Sequence, residues 1–134
     1  MIATLVIGAD DGVVEGIVQA LASAGHRCHV VRSLDEAATA LIEVRPLVTL
    51  VERRSASDPE FLRLRLPSGV ALVLYRSDDQ PMPPVPPSVQ RITLADVVLP
   101  LERQRLVAMV QRLTERAVAA GRASHGTSDE DRAR

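Results

Sequence analysis

Pro46-Leu47-Val48-Thr49-Leu50-Val51-Glu52-Arg53 is the stretch on which the fold turns. Its short, nearly unbroken apolar run suits a strand buried on both faces of a parallel sheet. Glu52 then stands at the C-terminal edge of that sheet, where open α/β sheets bind their ligands. Pro46 ahead of the run stops a helix and marks the strand's beginning.

The chain alternates outward from this strand. On the N-terminal side, residues 3–7 form a β-prone run that leads into Gly8-Ala9-Asp10-Asp11-Gly12. Asp10 or Asp11 can cap the helix that follows. Val13, Val14, Ile17, Ala20, Leu21 and Ala24 recur at helical spacing, and Gly25 ends the helix. Residues 27–31 read as a second strand. Ser33 with Glu36 three residues on is a capping-box pattern, and Ala37, Ala38, Leu41 and Ile42 give the expected apolar face.

On the C-terminal side, Asp58-Pro59-Glu60 opens a short predicted helix over 61–66, which Pro67-Ser68-Gly69 breaks. Strands are expected at 70–74 and 95–99. A long amphipathic helix is expected over 101–120, with Leu106, Val107, Val110, Leu113 and Ala117 inward. Strands and helices in strict alternation imply a parallel sheet with right-handed crossovers and helices on both faces.

Two stretches break the alternation. Residues 77–90 fill the slot of a fourth helix but hold Pro81, Pro83, Pro84, Pro86 and Pro87. Each interior proline costs a helix about 3 kcal/mol, so that helix is expected to be missing or distorted, with an extended polyproline-like loop in its place. Residues 122–134 are polar and read as a flexible tail or linker behind a domain at 1–121.

Composition narrows the chemistry. The chain has 134 residues, enough for one domain with a real core, and a formal net charge of −1. That balance gives no electrostatic case for nucleic acid or an acidic membrane surface. All 16 basic residues are arginine, so no lysine chemistry is available. Cys28 is the single cysteine, and the short N-terminal apolar run lacks a basic flank. Both fit a cytoplasmic protein.

Several short motifs, weak singly, stand in a telling order: Leu5-Val6-Ile7 before a helix, Ala24-Gly25-His26 before a strand, and Ser33-Leu34-Asp35-Glu36-Ala37 opening a helix. Arg45-Pro46-Leu47-Val48 and Ala95-Asp96-Val97-Val98-Leu99-Pro100-Leu101 follow. Over roughly residues 3–118 the chain resembles the receiver domain of bacterial two-component response regulators. The resemblance implies a flavodoxin-like five-stranded parallel sheet of order 2-1-3-4-5. It also implies a site in which an acidic pair holds Mg²⁺ and an Asp accepts a phosphoryl group. A hydroxyl and a lysine complete that site.

The sequence departs from the pattern at each of these positions. The acidic pair falls on Gly8 and Ala9, the acceptor on Glu52, the hydroxyl on Tyr75 with Arg76 beside it, and the lysine on Leu99. Asp96 holds the aromatic switch position. A one-residue slip would offer Asp10 as a weak metal ligand, but no slip restores the lysine. The reading is therefore a pseudo-receiver without phosphoryl transfer, metal or cofactor, acting on a signalling or output protein, with a homodimer as a further option. For Glu52 the simpler expectation is a solvated carboxylate, paired if at all with Arg53, Arg54 or Arg76. The sharper one is a mimic of the phosphorylated state, although Glu carries one charge against roughly two.

Other classes carry less weight. Gly8–Gly12 lacks the G-x-G-x-x-G spacing, yet a nucleotide-binding Rossmann-like enzyme or subunit is the alternative. A second alternative is the N-terminal regulatory domain of a longer transcription regulator. His26, Cys28, His29 and His125 offer no four-ligand metal set, and Cys28 reads as a small buried hydrophobe. Ser33, Ser55, Ser57 and Ser77 show no spacing that suggests a hydrolase triad. Arg103, Arg105, Arg112 and Arg116 alternate with Glu102 and Glu115, a solvated face rather than a DNA-reading stripe.

Overall fold

The computed structural model describes residues 4–80 and 82–133, with side chains to residue 120. Five parallel strands form one sheet: β1 (Thr4–Ile7), β2 (Cys28–Val31), β3 (Val48–Glu52), β4 (Ala71–Ser77) and β5 (Thr93–Leu99). Their order is β2-β1-β3-β4-β5, as expected. Helices α1 (Asp11–Ser23), α2 (Leu34–Val44), α3 (Arg53–Ala56), α4 (Pro87–Ile92) and α5 (Arg103–Ala133) connect and flank them, with a 3-10 turn over Pro59–Arg63.

The sheet separates two apolar layers. On one face Val14, Ile17 and Leu21 of α1 and Leu106 and Val110 of α5 cover Val6, Leu50, Val73 and Val97. On the other, Ala37, Ala40 and Leu41 of α2, Ala56 of α3, Phe61 of the 3-10 turn and Val89 of α4 cover Leu5, Val51 and Leu74. All five residues of β3 are buried, which is why the strand reads as a nearly unbroken apolar run ahead of Glu52.

Local signals set the helix ends. The Asp10 carboxylate caps α1 by accepting from the backbone N–H groups of Gly12 and Val13. At the other end His26 donates to the Leu21 carbonyl and Gly25 to that of Ala22, a Schellman closure. It places Gly25 at φ 88°, a conformation that glycine takes without a Cβ penalty. Ser33 caps α2 through the Glu36 N–H. The reciprocal bond lands one residue early, on the Arg32 N–H at 3.4 Å.

The structure revises several expectations. Residues 61–66 do not form an α-helix: α3 gives one turn over Arg53–Ala56, and the 3-10 turn over Pro59–Arg63 takes up the first half of the expected stretch. The fourth helix is present but distorted, cut to six residues, with prolines at its first position and its cap. A proline there loses no helical hydrogen bond, so the helix starts at the last proline of the run. From Met82 to Pro86 the backbone is irregular, and Pro81 lies outside the described residues. On α2 the inward residues are Ala37, Ala40 and Leu41, while Ala38 is exposed and Ile42 is 75% exposed. Strand β4 runs through Tyr75 and Arg76 to Ser77. The backbone of α5 continues over most of 122–134, whose side chains lie outside the described residues.

Candidate functional site

The C-terminal edge of the sheet gathers the ends of β1, β3, β4 and β5. Glu52 and Tyr75 are register partners across β3 and β4. Tyr75 is fully buried and belongs to the apolar layer beneath α1 and α5. Its hydroxyl donates to the carbonyl of Ile7 at 3.0 Å. A Cβ built on Gly8 would lie 1.9 Å from that hydroxyl oxygen. The tyrosine therefore fills the volume a side chain at residue 8 would need, and glycine is the residue that permits it. Burial raises the Tyr75 pKa, the charges of Glu52 and Asp10 raise it further, and Arg32 opposes them. The hydroxyl stays a proton donor throughout the physiological range.

Glu52 is not solvated, contrary to the simpler expectation. It is 1% exposed. One carboxylate oxygen accepts the Ala9 N–H at 3.3 Å. The other accepts from Arg54 twice, from Nε at 2.9 Å and Nη2 at 2.6 Å. The strand end is covered because α3 begins at once, which swings Arg54 back over residue 52. Of the three arginines named as partners, only Arg54 pairs with it. Arg76 bonds the carbonyls of Ser77 and Gln80 at 3.4 Å in its own loop.

Arg53 takes a different path. It is 6% exposed. Its Nε donates to the Pro83 carbonyl at 2.8 Å, and Nη1 meets the Asp96 carboxylate at 2.7 Å. One buried guanidinium thus joins the start of α3, the proline-rich loop and β5. The residue at the switch position is held in an ion pair instead of standing as a free ring.

These residues do not suit Mg²⁺ with a phosphoryl group. Gly8 and Ala9 supply no carboxylate. The oxygens of Glu52 are engaged by Arg54 and Ala9. Asp10 is spent on the cap of α1 and accepts from Gln80 with its second oxygen, at 3.3 Å. Leu99, in the lysine position ahead of a cis peptide to Pro100, is 6% exposed and turned into the apolar layer. No group of three or more His, Cys, Asp or Glu among the described residues could hold a metal ion.

A cleft of about 320 Å³ opens between α1 and the β5–α5 junction. Asp10 and Asp79 line it with Val13, Ile17, Leu99 and Arg103. A nucleotide placed there would bring its phosphates against two carboxylates, and the N-terminus of α1 is already capped by one of them.

Four of the remaining candidates have structural partners, and a fifth is packed in an apolar layer. His26 Nε2 lies 2.6 Å from the Gln111 side-chain oxygen, bridging α1's end to α5. Cys28 is half-buried in an apolar layer, and burial pushes its thiol up to about 11, away from reactivity. Ser33 caps α2, Ser57 bonds the Arg53 carbonyl, and Ser77 bonds Asp79. Sequence reasoning missed the roles of Arg53 and of the Gly8–Tyr75 pair. A glycine at an expected acid, together with the chain's one tyrosine at an expected small hydroxyl, was the available signal. Nothing local marked Arg53.

No protein-family model matches the sequence. No curated protein matches it either. Solved structures do. The chain is similar to the signal receiver domain of a Luxo repressor protein from Vibrio parahaemolyticus, with TM-score 0.64 and 9% identity over 90% of this chain and 95% of that one. It is similar to the pseudo-receiver domain of the CikA protein, with TM-score 0.64 and 20% identity over 85% and 98%. A third structure is an atypical orphan response regulator described as having a phosphorylation-independent regulatory mechanism, with TM-score 0.59 and 16% identity over 82% and 92%. The chain has the receiver-domain fold.

Proposed function

We propose that this receiver-fold chain is a regulatory module that works through protein contacts and does not transfer phosphoryl groups. The observation that carries the reading is the buried Tyr75 hydroxyl in the space of a side chain at residue 8. A phosphoryl group with its metal needs open volume, carboxylates and a cation at that edge. Here the volume is filled, Glu52 is neutralised by Arg54, and an apolar leucine replaces the ammonium. The likeness to a pseudo-receiver and to an orphan regulator supports the same direction. A module of this kind is not an enzyme. A cytoplasmic site of action agrees with its one unpaired cysteine. No helix among the described residues is long and apolar enough to cross a membrane.

The test is addition of beryllofluoride with Mg²⁺ to the isotope-labelled protein. The amide signals of Gly8, Ala9, Glu52 and Tyr75 are expected to stay in place, and mass measurement after acetyl phosphate to show no added phosphoryl group. Saturable shifts at those amides, or a covalent adduct on Glu52, would overturn the reading.

A further inference from the structure

At the edge of the sheet opposite Glu52, a groove of about 370 Å³ opens between the last turn of α2 and the segment that leads into β4. Leu41 and Pro46 are buried at its base, and Leu47 and Val70 are half-buried along it. Ile42 stands on the rim, 75% exposed. Arg45 and Arg65 line the same groove, and no carboxylate does. Neither arginine has an ion-pair partner among the described residues.

Arg45 is held there against its own backbone. It caps α2 at φ 51° and ψ 61°, in the left-handed region. The other positive φ angles among the described residues belong to glycines, Gly25 and Gly69. Glycine at residue 45 would remove the clash that a Cβ meets in this conformation. The dipole of α2 does not require the position, because a cation in the last helical turn would serve it, and none stands there. Gly69 shapes the opposite wall. It lies in a turn closed by the Val70 N–H on the Pro67 carbonyl at 3.3 Å, which leaves the N–H groups of Ser68 and Gly69 without an acceptor among the described residues. The groove therefore offers an apolar base, two guanidinium groups and spare backbone donors. Its occupant has to carry an anion close to an apolar group.

We infer that this groove captures the free C-terminal carboxylate of a partner protein that ends on a bulky aliphatic residue. The carboxylate and side chain of a last residue share one Cα, so a single residue meets both halves of the site. A free acid of that size would stay largely in water, since the rim at Ile42, Arg65 and Ser68 is exposed. A chain end also brings the residues before it, which cover Ile42. A second copy on a two-fold axis would set the same unpaired arginines against each other. The inference rests on the reading of the chain as a protein-contact module and names the partner's chemistry.

The probe is an eight-residue peptide of glycines and serines ending in valine and leucine with a free carboxyl. One control carries a C-terminal amide, another ends in serine, and N-acetylleucine supplies the same end without a chain. Binding to the full chain is followed by amide shifts. The expected result is saturable binding of the free-acid leucine peptide, with shifts at Ile42, Arg45, Ser68 and Val70. Each control should bind at least about tenfold more weakly. Arg45→Gly should lose about tenfold in affinity while its urea midpoint holds or rises, since glycine accepts the left-handed backbone. Equal binding of any control, shifts confined to other faces, full affinity in Arg45→Gly, or a lower midpoint in that variant would each overturn the inference. Beryllofluoride reports on the opposite edge, at Glu52, so failure of either reading is seen separately.

Discussion

Gly8 and Tyr75 act as one unit although one follows β1 and the other lies on β4. The tyrosine hydroxyl needs the Ile7 carbonyl and the empty volume at residue 8 together. Gly8→Asp, which restores an acid where the receiver pattern has one, should force the ring aside. The expected cost is about 1–3 kcal/mol from overpacking. Tyr75→Thr alone leaves a cavity and should also destabilise. In the double variant the two losses should fall short of their sum, with a coupling of about 1–3 kcal/mol measured by urea denaturation. Strict additivity would show that the two positions are independent. The carboxylate of Glu52 lies next to this unit yet is satisfied by Arg54 and the Ala9 N–H, so the edge holds a buried acid without a free charge.

At the level of elements, α1 and β5 make separate predictions. Gly16 sits inside α1, and a Cβ built there meets nothing within 4 Å. Gly16→Ala should therefore gain about 0.5–1 kcal/mol from helix propensity alone, read as a higher denaturation midpoint with an unchanged m-value. Loss of stability would mean that the glycine is needed for close packing. Strand β5 depends on Glu102, whose carboxylate is held below the usual range first by the Val98 N–H and then by Arg105. A carboxyl whose pKa is lower in the folded state stabilises the fold above its unfolded pKa. That contribution disappears as pH falls through the folded value. Wild type should therefore lose stability on acidification more steeply than Glu102→Gln, with the two curves converging at the acid end. Parallel curves across the carboxylate range would remove Glu102 from this role.

At the scale of the whole molecule, the buried Arg53 guanidinium ties three segments that are far apart in sequence: α3, the proline-rich loop at Pro83, and Asp96 on β5. Arg53→Ala should cost about 2–4 kcal/mol, because it leaves Asp96 and a loop carbonyl without their donor. Amide exchange should quicken in residues 82–86 and in β5, and Arg54→Ala, which removes an exposed partner, should leave those segments protected. Equal effects of the two variants would show that Arg53 is no strut. The sequence by itself determined what short-range rules govern. The apolar run at residues 47–51, the caps at Asp10 and Ser33, the glycine closure at Gly25 and the stop at Pro46 depend on neighbours a few residues away. So does the proline run that shortens α4. Tertiary structure alone decided which charges meet and which side chains share a volume. It buried Glu52, sent Arg53 to Asp96, left Ile42 exposed and set Tyr75 against Gly8. These outcomes join atoms separated by tens of residues, and burial and Coulomb attraction act through space, where sequence spacing carries no signal.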